Sequence, residues 1–427
     1  MEQEATYPKY RWFLLFMAWA LYGLVTFNNV MTAVLYDLLE APPVGLGLTT
    51  TQFYVSLTAT SVAPIFLSLF GGMLSDRFGV RRIVILGSLL ALVGTLLRLV
   101  SFGFVDFFIY NILLGVGIGV IFPNLPKMVG LWFPPKQIAI ATSLYMTALG
   151  LFSGLALALG ALFPTWQSAM LTMGLVYAAS IVLWLIFAKD RPKGYSIGGQ
   201  EVVGVPFKEG LRTALTSKSI WLIALSYCLV QGVVQAWVNG MPLVLKEDAM
   251  VSAGAAGIVI SLSVVGYVTG TVLWVIVSEK WGYLKPVYSL CMFFSGVTGL
   301  LTYIFAPGIG MWVLGFFPGL FMGAGHPLVM QMPLHLREIG ARYAGSAAGL
   351  IHTIGHTMSF LMLPFMFTPI WNATGSGFWA VFLLFAALAL AGVLFIGGPE
   401  VGRKRREQWA REAAEKRKTI PPEAAAA

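Results

Sequence analysis

Charged residues are scarce in this chain. Only 11% of its 427 residues are Asp, Glu, Lys or Arg, and 58% are hydrophobic, whereas soluble domains carry about 25% charged residues. This composition excludes a soluble protein and predicts an all-α, polytopic membrane protein, because twelve apolar segments can each cross a bilayer core of about 30 Å. The predicted spans, numbered 1 to 12, are 12–36, 51–74, 83–104, 107–131, 138–163, 167–188, 219–245, 253–278, 286–306, 310–334, 343–367 and 376–397.

Acidic residues are missing from the membrane interior. None of the 18 Asp and Glu residues falls within a predicted span, so a cationic substrate has no carboxylate to pair with. Aromatic faces could still hold a quaternary ammonium group. Multiply charged phosphates are disfavoured because no pair of central arginines is available to neutralise them. A neutral or singly anionic small organic solute is left as the favoured partner.

Cysteine is also rare, and neither of the two cysteines lies where a reactive thiol is expected. Cys228 and Cys291 both lie inside apolar spans, where a free thiol behaves as a small hydrophobic group. We expect no disulfide, no metal, no cofactor and no catalytic residue. A membrane enzyme would need a nucleophile or a metal centre, and the sequence offers neither, so we predict that the protein is not an enzyme.

The basic residues predict the orientation. Placing the N-terminus in the cytoplasm puts 25 of the 27 Lys and Arg residues on that side, leaving Lys246 outside and Arg98 within span 3. We therefore predict a cell-membrane protein, monomeric, with both termini cytoplasmic. The net charge of +9 is a topology signal and needs no nucleic-acid partner. Arg98 is expected to reach the lipid headgroups, with substrate contact as the alternative.

A compact polar turn separates spans 2 and 3. Residues 71–82 read GGMLSDRFGVRR, which resembles the loop between spans 2 and 3 of the major facilitator superfamily, roughly Gly-x-Leu-Ala-Asp-Arg-x-Gly-Arg-Arg, with Val80 in place of one basic residue. The resemblance implies a fold of twelve helices in two six-helix halves and a role in closing the cytoplasmic side. The predicted cytoplasmic gate residues are Gly72, Asp76, Arg77, Gly79 and Arg81.

An internal repeat agrees with two halves. SDRFG at 75–79 recurs as SEKWG at 278–282, an offset of 203, and an offset of 204 places Gly119 and Pro123 on Gly323 and Pro327. Parallel repeats of this kind occur in the superfamily. The predicted division is 1–188 for the first bundle, 189–218 for a cytoplasmic linker, 219–398 for the second bundle and 399–427 for a basic cytoplasmic tail.

Polar side chains mark a candidate substrate site. In the resembled fold, spans 1, 4, 7 and 10 line a central cavity. Polar groups at helical spacing inside a membrane must find partners or water, so they face a cavity or a neighbouring helix. The predicted substrate-binding residues are Tyr22, Thr26, Asn28 and Asn29 of span 1, Tyr227, Gln231, Gln235 and Asn239 of span 7, and His326, His352 and His356 of spans 10 and 11.

The three histidines leave several roles open. His352 and His356 lie one turn apart in span 11, and His326 precedes Pro327. Imidazoles in a membrane can bind an anion, pass a proton or form structural hydrogen bonds, whereas no carboxylate or thiol is near enough in sequence to complete a metal shell.

Two departures from the family patterns bear on coupling. Asn111 stands where many proton-coupled members carry an arginine, and Leu155 stands where antiporters often have a proline. The first departure puts the usual coupling arginine in doubt, and the second weakens the antiporter interpretation. Our hypothesis is a secondary transporter that works by alternating access on a neutral or monoanionic organic solute, with protons as candidate coupling ions. Efflux or exchange of amphipathic or quaternary-ammonium compounds is one alternative, and a solute receptor that does not transport is another.

Overall fold

The computed structural model describes residues 9–40, 45–160, 162–190, 207–336 and 338–419. Within these ranges the regular secondary structure is entirely helical. Ten of the described helices are long and apolar enough to cross a membrane, and a shorter apolar helix, Leu144–Gly160, lies in span 5. The prediction of an all-α membrane protein is confirmed.

The first six spans follow the predicted order. Their helices are Tyr10–Val30 with the 3₁₀ turn Met31–Leu35 and Tyr36–Glu40 (span 1), Thr50–Thr58 with the 3₁₀ turn Ala59–Ser61 and Val62–Phe78 (span 2), Val80–Leu97 (span 3), Phe104–Ile121 and Asn124–Trp132 (span 4), Pro135–Gly160 (span 5) and Trp166–Phe187 (span 6).

The second six spans follow a linker helix, Phe207–Thr216. They are Lys218–Glu247 (span 7), Ala253–Trp281 (span 8), Lys285–Ile304 (span 9), Ile309–Leu314, Phe316–Met322 and Gly325–His335 (span 10), Gly340–Leu361 with the π turn Met362–Phe367 and Thr368–Thr374 (span 11), and Gly377–Ile396 (span 12); the tail helix is Arg403–Thr419. Several helices run past the predicted ends because helical hydrogen bonding continues beyond the apolar core.

Helix neighbours recur between the two sets of spans. Span 1 packs on spans 5 and 6, and span 7 packs on spans 11 and 12. Spans 3 and 4 pair in the same way as spans 9 and 10, and spans 2 and 4 in the same way as spans 8 and 10. Spans 2 and 5 of the first set contact spans 11 and 8 of the second. The internal repeat in the sequence is thus matched by equivalent helix–helix contacts in the two sets of spans.

Glycines allow the closest helix contacts. A Cβ atom on Gly115 would lie 2.2 Å from the carbonyl oxygen of Thr60, so spans 2 and 4 meet backbone to backbone. Gly150 and Gly154 of span 5 pack on Val268 and Val264 of span 8. The small residues of spans 4 and 5 therefore serve helix packing, which is their commonest use in membranes.

The turn between spans 2 and 3 is tied to the end of span 6. Gly79 has a φ of +86°, and Asp190 Oδ1 accepts a hydrogen bond from the backbone N–H of Arg81 at 2.7 Å. The second set repeats the arrangement at the offset of 203, because the N–H of Leu284 donates to Glu400 Oε1 at 2.9 Å. A carboxylate after the last span of each set caps a helix N-terminus, where the helix dipole favours negative charge.

Replacing Gly79 with alanine is expected to destabilise the protein by about 2 to 3 kcal/mol. The positive φ costs an L-residue about 1 kcal/mol or more, and the new Cβ would lie 2.8 Å from Asp190 Oδ1, so the cap worth about 1 kcal/mol must also shift. Thermal unfolding in detergent measures the change. Gly103→Ala is the control, since its added Cβ meets nothing within 4 Å; equal melting temperatures for both variants would contradict this account.

The tail helix folds back onto the loop between spans 8 and 9. Arg406 Nη2 donates to both carboxylate oxygens of Glu279, at 2.6 and 2.8 Å, and Arg406 Nη1 lies 3.3 Å from His335 Nε2. Burial, and then the positive charge of Arg406, lower the pKa of His335. The basic tail is therefore held against the second bundle by specific contacts.

Candidate functional site

Spans 4 and 10 are both interrupted close to a contact between the two halves. Span 4 is interrupted between Ile121 and Asn124, and span 10 between Met322 and Gly325. Pro123 lies within the first break and Pro327 follows the second, and proline removes a helical hydrogen bond. Phe122 and His326 precede those prolines, are related by the offset of 204, and contact each other with ring centroids 5.7 Å apart.

Aromatic and imidazole rings surround this contact. Phe122 lies 4.8 Å from His352 and 5.8 Å from Tyr22, measured between ring centroids. His352 in turn lies 5.5 Å from His326 and 6.3 Å from His356. We call the following set the central cluster: Tyr22, Phe122 and Tyr145 from the first half, and Tyr227, His326, His352 and His356 from the second.

Several polar atoms of the central cluster are buried without a hydrogen-bond partner in the described part of the chain. They are Nε2 of His326, Nδ1 of His356 and the hydroxyl of Tyr145. Thr353 Oγ1, next to His352, is in the same state. Buried polar atoms are nearly always hydrogen-bonded, and leaving one unpaired costs about 1 to 3 kcal/mol. Their presence in two facing halves is what a site for a hydrogen-bonding solute requires.

Tyr227 fixes the position of one imidazole. Its hydroxyl lies 2.7 Å from Nδ1 of His326, and Gly355 of span 11 lets the tyrosine ring approach, because a Cβ there would come within 2.7 Å of it. When the hydroxyl donates to Nδ1 of a neutral imidazole, Nε2 carries the hydrogen. The unpaired Nε2–H is then a donor suited to a carboxylate or sulfonate oxygen.

Thr26 and Asn28 of span 1 donate hydrogen bonds to protein carbonyl groups. Thr26 donates to the carbonyl of Tyr22 at 2.9 Å. Asn28 is fully buried and donates to the carbonyl of Leu24 at 2.9 Å and to that of Met173 in span 6 at 3.4 Å. Asn29 is half-buried. The structure thus places Tyr22 in the central cluster and turns Asn28 toward span 6.

The amide-bearing face of span 7 is turned toward span 11. Gln231 packs beside Gly355, and Asn239 donates to the side-chain oxygen of Gln235 at 3.3 Å. The ring of Trp237 packs on Gly299 of span 9, so this tryptophan fills a helix contact. Of the four polar residues predicted from span 7, Tyr227 belongs to the central cluster. The three amides lie farther along the same helix and are not members of the cluster.

The expectation that Arg98 reaches the headgroups is wrong. The side chain is fully buried, and its Nη1 donates to Thr32 Oγ1 at 2.9 Å while its Nη2 donates to the carbonyl of Asn28 at 3.2 Å. Asn111 Oδ1 lies 3.5 Å from Nη1. The 3₁₀ turn that begins at Met31 places Thr32 beside the guanidinium. Among the described residues, these partners are neutral, so a full positive charge is buried between spans 1, 3 and 4 without a carboxylate.

The two halves are joined at the end of the molecule opposite the 71–82 turn. Lys246 Nζ lies 3.1 Å from Asp37 Oδ1, linking the ends of spans 7 and 1. Leu35 and Leu39 share one buried cluster with Val244 of span 7, whereas Leu14, nearer the basic turns, belongs to a separate cluster of first-half residues. The two halves are therefore in contact at the end that carries Asp37 and Lys246.

The predicted gate is described in part. Gly79 and Arg81 hold the turn against Asp190 as described above, and Arg81 Nη2 also donates to the carbonyl of Leu185 at 2.5 Å. The surroundings of Gly72 and the side chains of Asp76 and Arg77 lie outside what the structure describes.

No metal centre is formed by the part of the chain that the structure describes. It contains no group of three or more His, Cys, Asp or Glu side chains that could hold a metal ion. The histidines of the central cluster instead contact tyrosine and phenylalanine rings, which offer hydrogen bonding and packing and no further metal ligand.

Sequence reasoning missed Phe122 and Tyr145. Phe122 carries no polar group, and Tyr145 lies in span 5, which reads as a packing helix. The repeat contained a signal for the first, because the offset of 204 that aligns Pro123 with Pro327 also aligns Phe122 with His326. No comparable signal marks Tyr145, whose position depends on how span 5 packs beside span 1.

Comparison with known proteins identifies the family. A profile described as Major Facilitator Superfamily matches residues 12–247. The chain is 24% identical over 360 residues to a probable sulfoacetate transporter of Cupriavidus necator, covering 78% of this chain and 81% of the relative. It is 28% identical over 294 residues to the 3-(3-hydroxy-phenyl)propionate transporter of Escherichia coli, covering 66% and 70%.

A solved structure shares the fold. It is a bacterial homologue of the human lysosomal transporter Spinster in an inward-facing, unoccupied conformation, with a TM-score of 0.66, 14% identity and coverage of 91% of this chain and 95% of that one. The twelve helices, the repeated turn and the profile match agree, and the chain belongs to the Major Facilitator Superfamily as a multi-pass membrane transporter.

Proposed function

We propose that this transporter carries a small organic monoanion through a site at the central cluster. The observation that carries the proposal is the set of unpaired buried polar atoms on Tyr145, His326 and His356. Ring contacts through Tyr22, Phe122 and His352 connect these three residues. These groups can donate hydrogen bonds to a carboxylate or sulfonate, and the aromatic rings can pack on an apolar part of the solute.

The electrostatics of the membrane interior favour an anion. The predicted spans hold no Asp or Glu, while Arg98 is buried with neutral partners only among the described residues. An uncompensated cation raises the potential around it, and the effect is strong where the dielectric constant is low. The relatives support an organic anion, because their names give sulfoacetate, which carries two acidic groups, and a hydroxyphenyl propionate, which carries one carboxylate.

The mechanism we infer is alternating access between two bundles, residues 1–188 and 219–398. The contact between the halves at Asp37 and Lys246 forms one of the two gates in this mechanism, and the 71–82 turn belongs to the other. We assign that turn and both termini to the cytoplasm on the basis of the Lys and Arg distribution. We further propose that His326, His352 and His356 exchange protons with the solute pathway, and that one monomer forms the complete unit.

Counterflow in proteoliposomes tests the substrate class. An aryl propionate and a hexuronate form the monoanion group, and their amides or methyl esters form the matched neutral group. Sulfoacetate represents a dianion, and a tetraalkylammonium ion represents the cationic alternative. We expect exchange with at least one anion and about tenfold weaker exchange with its neutral analogue. Preference for the quaternary ammonium ion would replace this proposal with the efflux alternative. Binding without exchange for every compound would favour a receptor.

Replacing Arg98 with methionine is expected to separate transport from stability. Arg98 contacts the carbonyl of Asn28, which lies about 9 Å of helix rise from Tyr22. A unit charge acting over about 10 Å at an effective dielectric constant near 20 contributes roughly 1.7 kcal/mol, so the apparent affinity for an anion should fall about tenfold or more. The melting temperature should change little, because replacing a buried charge with an apolar side chain of similar length removes a desolvation penalty as well as hydrogen bonds.

Arg98→Lys is the matched control for charge, and it should retain most of the anion affinity. Initial uptake rates over a range of substrate concentrations, with the melting temperature of each variant, provide the measurement. A purely structural role predicts the opposite pattern, in which the methionine variant unfolds at a much lower temperature and the folded remainder transports normally.

A further inference from the structure

A groove on the outside of the second bundle has a shape and surroundings that suit a lipid. It lies between spans 8 and 9, has a volume of about 240 Å³ and is lined by apolar residues and one cysteine. Trp274, Val277 and Trp281 follow one face of span 8, while Leu290 and Phe294 belong to the facing side of span 9. This groove is separate from the central cluster.

Packed aromatic rings make the floor of the groove rigid. Trp274 stacks on Phe321 of span 10 with ring centroids 5.5 Å apart, and its indole Nε1 donates to the carbonyl of Leu320 at 2.7 Å. Phe294 packs on the other side of Phe321 at 5.6 Å. Because these side chains are already held by their neighbours, they cannot easily move to fill the gap.

The groove opens toward the membrane. Leu290, Trp281 and Phe294 are 50%, 47% and 44% exposed, in helices that cross the bilayer. The eight residues from Trp274 to Trp281 span about 10 Å of helix, which is about two thirds of one leaflet of a hydrocarbon core of about 30 Å. A hydrocarbon chain is the occupant that such a surface meets in a membrane.

Positive charges stand at one end of the groove. Lys280 is exposed next to Trp281, and the ring of Trp281 touches that of Tyr283 at 5.9 Å. Lys404 of the tail helix places its ammonium group 4.5 Å from the centre of the Tyr283 ring, and Arg403, also exposed, donates to the carbonyl of Lys280 at 3.4 Å. The docked tail helix thus adds basic side chains where the apolar groove reaches the membrane surface.

We propose that the groove between spans 8 and 9 binds one anionic phospholipid, with an acyl chain against Trp274 and Phe294 and the phosphate near Lys280 and Lys404. The apolar lining of the groove matches an acyl chain, and the basic residues at its end match a phosphate. The two features adjoin at the membrane surface, as the chain and the headgroup of a phospholipid do. Each nearby Lys or Arg strengthens binding to anionic lipid about fivefold, so the headgroup charge should decide which lipid is retained.

Native mass spectrometry and thermal unfolding of the full chain in detergent test this site. Dioleoyl phosphatidylglycerol is compared with dioleoyl phosphatidylcholine, which has the same chains, and with glycerol phosphate, which has no chains. We expect one retained phosphatidylglycerol, a higher melting temperature with it, at least fivefold weaker retention of phosphatidylcholine, and no effect of glycerol phosphate.

Variants separate the two parts of the site. Lys280→Gln with Lys404→Gln should reduce phosphatidylglycerol retention to the level of phosphatidylcholine, whereas Leu290→Trp should fill the groove and weaken both lipids. Lys208→Gln, which removes an exposed charge from the linker helix, should change neither. Equal retention of the two lipids by the parent protein, or undiminished phosphatidylglycerol retention in Leu290→Trp, would overturn the proposal. A glycerol phosphate effect equal to that of the lipid would do the same.

Discussion

Transport by His352→Gln is expected to fall at least about tenfold while the protein remains folded. His352 contacts Phe122, Tyr227, His326 and His356, so it stands at the middle of the central cluster. Glutamine keeps a donor and an acceptor but cannot take up a proton near neutral pH. The loss of one charge-assisted hydrogen bond, about 1.5 to 3 kcal/mol, corresponds to a rate or affinity change of tenfold or more.

Glutamine variants of the three histidines in the central cluster test proton coupling. Uptake into proteoliposomes is measured at several external pH values, with and without an imposed pH gradient, for His326→Gln, His352→Gln and His356→Gln separately. We expect the pH dependence to flatten in at least one of them. His335→Gln is the control, because this histidine lies outside the central cluster beside Arg406. Normal rates in all three variants would remove the central cluster as the site, and reduced rates with an unchanged pH profile would remove only the coupling role.

Replacing Gly319 with alanine is expected to be the most destabilising single methyl addition among the second-half glycines whose surroundings the structure describes. A Cβ atom there would lie 1.6 Å from the carbonyl oxygen of Ser263 in span 8, so neither a rotamer change nor a small side-chain shift can make room. Gly270 meets the carbonyl of Leu320 at 1.9 Å in the reverse direction. The two helices must separate, and we expect a cost of roughly 3 kcal/mol or more.

The matched control is on the same helix as Ser263. Gly257→Ala also adds one methyl group to span 8, but its Cβ meets nothing within 4 Å, and alanine is favoured over glycine in a helix by up to about 1 kcal/mol. We expect Gly257→Ala to melt at or above the parent temperature and Gly319→Ala to give little monodisperse protein. If Gly319→Ala melted within 2 °C or so of the parent, the backbone contact between spans 8 and 10 would not be limiting.

These predictions separate stability from transport. Gly319 lies at a helix contact away from the described site, whereas His352 contributes side-chain chemistry to it. Arg98 bears on both stability and transport, since it is a buried hydrogen-bond donor and also carries a charge. Its methionine variant therefore reports which of the two properties matters.

Much of the fold could be predicted from the sequence. The low charged fraction and the twelve apolar segments predict a membrane protein because a bilayer core admits few charges and sets a minimum helix length. The turn at 71–82 and its copy at 278–282 predict the family and the repeat, because motif and offset are properties of the sequence alone. The same offset relates the two capped N–H groups, those of Arg81 and Leu284. Their acceptors, Asp190 and Glu400, do not share that offset and are identified only from coordinates.

The candidate site depended on packing that no local pattern contains. Tyr22 and Asn28 both lie in span 1, yet the structure places the first in the central cluster and turns the second toward Met173 of span 6. Phe122 and Tyr145, which have no distinguishing pattern, complete the central cluster. The burial of Arg98 follows from the 3₁₀ turn at Met31–Leu35 and from the position of Asn111 in span 4.

The sequence by itself determined that this chain crosses the membrane many times, repeats one plan and belongs among the facilitators, because hydropathy, motif and offset are local or periodic properties. Only the tertiary structure decided which polar groups meet. The rotation of each helix about its axis and the contacts between distant spans set those meetings, since a membrane helix satisfies its backbone alone but its polar side chains only against other helices or a bound solute.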